Sequence, residues 1–529
     1  MSALTGTGKL IRLILRRDRF LLPAWVLFAS LFPMTLASGI EEIYPDDKAR
    51  ESATVLVNAS PGFVAMMGKV YEPTIGALVA WRGSLLVLML GAICALTVIR
   101  HTRADEEAGR RELIGSTVVG RHANLIAALV VTTVASLVVG GVIAAAVSGQ
   151  NLHGEGSLLL GAQYAASGIL FACVAAVCAQ LTEGAGPARG FVFIVLGAAL
   201  LLRMGGDIAG DGAWMTWASP AGWLEQLKPF ADNNWHVLWL FGAAAVGLTM
   251  VAFWLSSIRD VEAGLLSTRL GRARARWGLR TPLALAWRLQ RGALIGWGIG
   301  FAVMGGLLGS MSSGMGDMVK DSAVMMEVVT RLGGEAGITD AFFGMMTGLL
   351  GLAVTGYSIQ AALKARGEET GMRAEQLLAT SVSRLRWTAS HLAFAFFGPV
   401  IVLGVGGSAM ALAYGNNIDD YGKAFADVLT GCAVQLPAVW TLTGLAVLLF
   451  GLLPRLLGLA WVALTASLLL GQVGAALNLP DEVLDASPFS HVPQVPVEDV
   501  TAKPLLWLGA IVVVTTAAGL VGFRRRDVG

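Results

Sequence analysis

The sequence predicts an all-α polytopic membrane protein, with twelve transmembrane helices arranged as two six-helix repeats. Three observations carry that prediction. Of the 529 residues, 55% are hydrophobic and only 14% are charged, against about 25% charged in an average soluble domain. A chain this apolar lacks the polar surface to face water throughout, so most of it must face lipid. Its apolar runs number twelve and divide six and six. A charged segment between two of these runs also occurs twice. The first copy runs Glu106-Glu107-Ala108-Gly109-Arg110-Arg111-Glu112 and on to Arg121, and the second Glu368-Glu369-Thr370-Gly371-Met372-Arg373-Ala374-Glu375 and on to Arg384. With Met372 taken as one inserted residue, eight of sixteen positions are identical: Glu106/Glu368, Glu107/Glu369, Gly109/Gly371, Arg110/Arg373, Glu112/Glu375, Thr117/Thr380, Val119/Val382 and Arg121/Arg384.

The elements follow in chain order. Residues 1–19 set Lys9, Arg12, Arg16, Arg17 and Arg19 among Leu10, Ile11, Leu13 and Ile14, the pattern of a basic amphipathic helix on a membrane surface. A first span is expected at 20–40. A cleaved leader has the same basic-then-apolar layout, but Arg19-Phe20-Leu21-Leu22-Pro23-Ala24-Trp25 is echoed internally by Arg291-Gly292-Ala293-Leu294-Ile295-Gly296-Trp297. Further spans are expected at 76–99, 124–147, 157–180, 190–204 and 235–257, then at 292–311, 341–363, 389–414, 426–453, 456–478 and 504–523. The run at 190–204 is short and reads as a broken or partly re-entrant helix. The domains are a first half, 1–257, a basic linker, 258–283, with Arg269, Arg272, Arg274, Arg276 and Arg280, and a second half, 284–529.

Charge sets the orientation. The loops on one side hold 28 Lys and Arg and those on the other hold 8. The positive-inside rule makes the richer side cytoplasmic, with both termini, the linker and both charged segments. The long loops of the opposite side are acidic, and two of them share a phrase, Ala218-Ser219-Pro220 and Ala486-Ser487-Pro488, that suits short interfacial or re-entrant helices. Arg outnumbers Lys by 30 to 8, a bias typical of a GC-rich bacterial genome. The expected location is therefore a bacterial cell membrane.

Several chemistries are excluded. Gly6-Thr7-Gly8-Lys9 resembles a phosphate loop only in part, because Ala3 and Leu10 stand where that loop needs Gly and Ser or Thr. The chain is expected to bind no ATP and to be no enzyme. Cys94, Cys173, Cys178 and Cys432 all lie in apolar runs and read as small buried hydrophobes. The six histidines mark no metal site, and a net charge of +2 points to no nucleic acid. The spans hold almost no acids for a proton relay. Arg82 and Arg203 are the ionisable residues deepest in spans, both near helix ends from which they can snorkel. Asp207 stands at ion-pair spacing from Arg203 if the helix continues. Acids at the start of a short helix suit its dipole, and Leu113 and Ile114, matched by Gln376 and Leu377, leave a partly apolar face for a partner.

Leu377-Leu378-Ala379-Thr380-Ser381-Val382-Ser383-Arg384, led by Glu368-Glu369-Thr370-Gly371, resembles the signature after the second span of ABC-2 type exporter permeases. The basic first helix, the six-span unit and the loop before the sixth span are similar too. The fused twelve-span form, with Ser487-Pro488-Phe489-Ser490-His491-Val492-Pro493, resembles polyketide-antibiotic (tetronasin-type) exporter permeases. The resemblance implies a type V exporter-like pseudo-dimer with a central apolar cavity. The two segments would be coupling helices docked on two copies of a separate ATPase subunit, which would bind ATP and Mg. The coupling residues would be Glu106, Glu107, Gly109, Arg110, Glu112, Thr117, Arg121, Glu368, Glu369, Gly371, Arg373, Glu375, Thr380 and Arg384. The second and fifth spans of each half would line the cavity, with Arg82, Arg203, Met345 and Met346 as candidate contacts. The expected substrate is a hydrophobic antibiotic or drug, with lipid or glycolipid as the alternative. The rivals outside this class are a proton-coupled twelve-span antiporter and a membrane scaffold or sensor.

Overall fold

The computed structural model of the chain describes residues 3–44, 46–115, 117–150, 152, 154–210, 212–260, 264–266, 280–320, 335–473 and 480–526. Among these residues there is no strand. The chain divides into two units, Met1–Leu270 and Gly271–Gly529. The linker arginines Arg269, Arg272, Arg274 and Arg276 lie outside the described residues.

In the first unit the helices are α1 (Thr7–Arg17), α2 (Leu21–Ile43), α3 (Asp47–Ala59), α4 (Pro61–Met67), α5 (Ile75–Arg82), α6 (Ser84–His101), α7 (Arg103–Glu107), α8 (Arg110–Gly115), α9 (Ala123–Ser148), α10 (Gly154–Leu181), α11 (Ala185–Ala209), α12 (Trp214–Ala218), α13 (Pro220–Gln226) and α14 (Leu238–Ile258). The most enclosed of them is α10, which packs against α9, α6 and α14. Its approach to α9 depends on two glycines: a Cβ on Gly140 would lie 2.4 Å from the Gly161 carbonyl oxygen, and one on Gly161 would lie 2.2 Å from that of Gly140. Only hydrogen fits there, as at close helix crossings in membranes. The joint between α1 and α2 is fixed by Asp18, a buried carboxylate 2.6 Å from the His101 ring and 3.1 Å from Arg100.

The second unit holds α15 (Pro282–Lys320), α16 (Glu335–Thr370), α17 (Arg373–Leu378), α18 (Arg384–Ile418), α19 (Tyr421–Val434), α20 (Leu436–Leu452), α21 (Gly458–Val473), α22 (Asp481–Leu484) and α23 (Ala502–Arg525). Here α15 packs along α18, α23 packs along α20, and α16 touches both α18 and α20. No Asp18-like joint interrupts α15: Gln290 stands where the sequence echo would place that acid, and the helix runs through.

Ten helical stretches among the described residues are long and apolar enough to cross a membrane. They take in ten of the twelve predicted runs. The other two fold as α2, a helix of 23 residues, and α21, which is described from Gly458 to Val473. The first runs to Ile43, and residues 474–479, after the second, lie outside the described residues. The expectation of a short, broken helix at 190–204 is corrected: α11 is one helix of 25 residues. The run at 76–99 instead divides at Gly83, between α5 and α6, and the run at 426–453 divides at Gln435, just ahead of Pro437, whose missing N–H suits the first turn of a new helix. The shared Ala-Ser-Pro phrase is a helix start in both units. Ser219 Oγ accepts from the amides of Ala221 and Gly222, and Ser487 Oγ accepts from that of Phe489, each serine followed by proline in the first turn.

Candidate functional site

The first charged segment begins where α6 ends. After α7 the chain reverses at Gly109, whose φ of +67° is cheap only for glycine, and then forms the six-residue α8. Glu106 is the centre of an ion cluster. It is 4% exposed and lies 3.1 Å from Arg103, 3.1 Å from Arg111 and 2.9 Å from Arg259, the residue that follows α14. Burial pulls the Arg259 guanidinium below its ordinary value, and Glu106 opposes that shift. Asp105 holds Arg17 of α1 and Arg110 of α8, each at 2.7 Å. Glu107 Oε2 accepts from the Ala185 amide at 2.8 Å, so it caps α11 across the fold. Arg121 closes the segment by donating to the carbonyls of Ser256 and Arg259, at 3.0 and 2.8 Å. Between these anchors Glu112, Leu113 and Thr117 face outward, Leu113 75% exposed. The side chain of Ile114 lies outside the described residues.

The second segment begins at the end of α16. Glu369 is 2.8 Å from Arg366 and 2.6 Å from Arg526, the residue that follows α23. Glu368 is 2.8 Å from Arg373 and 3.6 Å from Lys364. The chain reverses at Met372, with φ +58°, and forms the six-residue α17. Arg384 Nη1 donates to the Arg526 carbonyl at 2.6 Å. The Arg526 guanidinium also lies over the rings of Phe450 and Phe523, 5.4 and 5.5 Å from their centres. Leu377 and Leu378 turn inward, half-buried against Trp387, Phe450 and Phe523. Gly371, Glu375 and Thr380 are exposed.

Set side by side, the two segments need no insertion. Gly109 and Met372 are the matching left-handed residues, and each amide bonds back three residues, to the carbonyl of Glu106 or Glu369. Arg103 then matches Arg366, Asp105 matches Glu368, and Glu106 matches Glu369. Each matched pair makes the matched contact. The pairings Glu106/Glu368, Glu107/Glu369 and Gly109/Gly371 are therefore corrected by one residue, while those from Arg110/Arg373 onward stand. A one-residue gap aligns the identical residues, whereas the fold matches Asp105 with Glu368 and has a methionine where the first copy has glycine. The placement of the acids is corrected too. Glu106 lies in the first turn of the five-residue α7 and Glu107 ends it, whereas Glu368 and Glu369 lie in the last turn of the long α16; Glu112 and Glu375 lie in the first turns of α8 and α17. Arg259 and Arg526 were not foreseen, although each is the cation just beyond the last span of its half.

The deep arginines occupy different settings. Arg203 is 3% exposed and does not reach out to an interface. It donates to the carbonyls of Ala65 and Met66, at 2.9 and 2.8 Å, and so binds the C-terminal end of α4. Because α11 continues past residue 204, Asp207 comes within 3.6 Å of it. Arg203 also lines a cavity of about 50 Å³ with Gln163, Trp81 and Glu225. Arg82 ends α5, half-buried, away from that lining. Met345 is 52% exposed and Met346 half-buried on α16. The four cysteines are buried and unbridged.

Two comparisons bear on this arrangement. The family described as "Multidrug efflux system permease Rv1217c, C-terminal domain" matches residues 11–255 and again 279–524. The multidrug efflux system permease protein Rv1217c of Mycobacterium tuberculosis (strain ATCC 25618 / H37Rv) is 43% identical over 528 residues, a match that takes in 100% of this chain and 96% of that relative.

Proposed function

We propose a function from one premise: the chain belongs to the family of the multidrug efflux system permease Rv1217c. It is the membrane permease subunit of an ATP-binding-cassette exporter of the ABC-2 type, moving hydrophobic drug-like compounds out of a bacterial cell. Both termini and both charged segments are cytoplasmic. Two copies of a separate ATPase subunit dock on α8 and α17, bind ATP and Mg, and hydrolyse the nucleotide. The chain itself supplies no phosphate loop.

The observation that carries this reading is the repetition of one built surface. Each half presents a six-residue helix after a left-handed turn, pinned at both ends by charge, with Glu112 and Leu113 exposed in one and Glu375 and Gln376 in the other. A solvated loop has no need of such anchors, whereas a surface that must transmit force does.

Native mass spectrometry of the complex tests the reading. The expected mass is one permease chain with two ATPase subunits, and the purified chain alone should bind no ATP. A particle with two permease chains and two ATPases would mean that one chain is not a complete permease. Single cysteines at positions 110 and 373 should be shielded from impermeant thiol reagents in intact cells, and labelling from outside would invert the topology. Changes in 368–384 should lower export more than changes in 106–121.

A further inference from the structure

Each charged segment is fastened at both ends to one residue. In the first half the carboxylate of Glu106 holds the Arg259 guanidinium at 2.9 Å, and Arg121 donates to the carbonyl of that same Arg259 at 2.8 Å. In the second half Glu369 holds Arg526 at 2.6 Å, and Arg384 donates to the Arg526 carbonyl at 2.6 Å. The segment is thus a closed loop whose two ends meet at the foot of α14 or of α23. Neither last helix adjoins its segment in the chain; the clasp joins them beside packed side chains, His122 against Phe253 in the first half and Leu377 and Leu378 against Phe523 in the second. These two helices are also the least enclosed of the ten long apolar ones, with 17% of the apolar window of Trp235–Ile258 buried and 11% of that of Ala502–Arg525, against 28% or more in the others. A charged, double-ended fastening therefore joins the segment to the helix of each half that leaves most of its apolar surface exposed.

We propose that Arg259 and Arg526 are positioning residues through which each segment moves the last span of its own half, so that the displacement produced by ATP enters the membrane at α14 and α23. This rests on the docking reading above. A bidentate-capable guanidinium suits the role, because one residue receives a carboxylate on its side chain and a donor on its backbone, and it stays charged in a partly buried site. An outward or lateral shift of α8 or α17 pulls both prongs in the same direction. Helices α6 and α9, or α16 and α18, follow their segment through the backbone. The last span follows its segment through the clasp.

The test uses the full chain in lipid nanodiscs, spin-labelled in pairs. Glu375→Cys with Leu506→Cys reports the segment against the last span, and Leu506→Cys with Val462→Cys reports the last span against α21. In the chain alone, Arg526→Ala should broaden the 375–506 distance distribution, and an unchanged distribution overturns the clasp. With the ATPase and ATP, the 506–462 distance should change in the unsubstituted background and stay fixed in Arg526→Ala. ATP hydrolysis should persist in that variant, while export per ATP falls about fivefold or more. Arg526→Lys, which keeps the charge opposite Glu369, should recover most of it. Since Arg526 also lies over Phe450 and Phe523, Arg384→Gln serves as a second variant that removes only the other prong and leaves the rings covered; it too should uncouple. If hydrolysis and export fall in step in both variants, or if the 506–462 change survives in Arg526→Ala, the last span is not the route. If the unsubstituted chain retains no ATPase at all, the docking reading fails and this proposal with it, whatever the clasp distances show.

Discussion

In the first half, Glu106 is ringed by Arg103, Arg111 and Arg259, and the surrounding positions are small or polar, among them Asn124 and Ser256. In the second half, Glu369 has Arg366 and Arg526, and the matching positions hold Ala374, Trp387 and Phe523. The same backbone path is thus sealed by ions in one half and by stacked rings in the other. Trp387 lies against Phe523 at 5.8 Å, and Phe523 against Phe450 at 5.0 Å. The difference teaches that the plan shared by the halves is the clasp and the left-handed turn, while the filling around them is free to change. An ionic filling depends on keeping every partner, since a buried charge left alone is costly. An aromatic filling depends on volume.

The largest expected contrast is Trp387→Ala against Asn124→Ala. Trp387 is 2% exposed, so its truncation should cost about 3–5 kcal/mol. Asn124 gives one hydrogen bond, to the His101 carbonyl at 3.0 Å, so its loss should cost about 1 kcal/mol. Thermal unfolding of the solubilised chain measures both, and equal losses would break the comparison. Next comes Glu106→Gln against Glu369→Gln. The first removes the carboxylate that three guanidiniums share and should cost about 3 kcal/mol or more, the second about half as much, because Arg526 keeps its rings. A greater loss at Glu369 in chemical denaturation would show that the rings do not shelter Arg526.

A smaller effect sharpens the alignment itself. Gly109→Met forces a side chain into a left-handed turn and should cost about 1 kcal/mol, whereas Met372→Gly should be neutral or slightly stabilising. Were Met372→Gly to destabilise as strongly, the two residues would not be equivalents and the inserted-residue alignment would return. The smallest contrast is Glu107→Lys against Thr370→Lys. Glu107 caps α11 through the Ala185 amide, so a cation there should cost about 0.3–1 kcal/mol. Thr370, its match in the second half, has no such task. Hydrogen exchange at the Ala185 amide reads the first loss directly, and unchanged protection would remove the cap.

The sequence by itself determined the helical, lipid-facing class, the position of most spans and the existence of two charged segments. These follow from composition and from the run lengths that a bilayer demands, which are local properties. It also placed Arg110, Arg121, Arg373 and Arg384 correctly, because identical residues at fixed spacing survive any reasonable alignment. Only the tertiary structure decided which acid meets which arginine. Arg259 stands 153 positions from Glu106, and Arg526 stands 157 from Glu369, separations over which no periodicity operates. It also decided that Met372 replaces Gly109, since backbone dihedrals and not residue type define that turn. It carried α11 on through Asp207, because Arg203 gains the Ala65 and Met66 carbonyls and needs a carboxylate beside it once buried. Pairing of distant charges in a low-dielectric setting is a property of the folded neighbourhood, and a linear pattern carries no record of it.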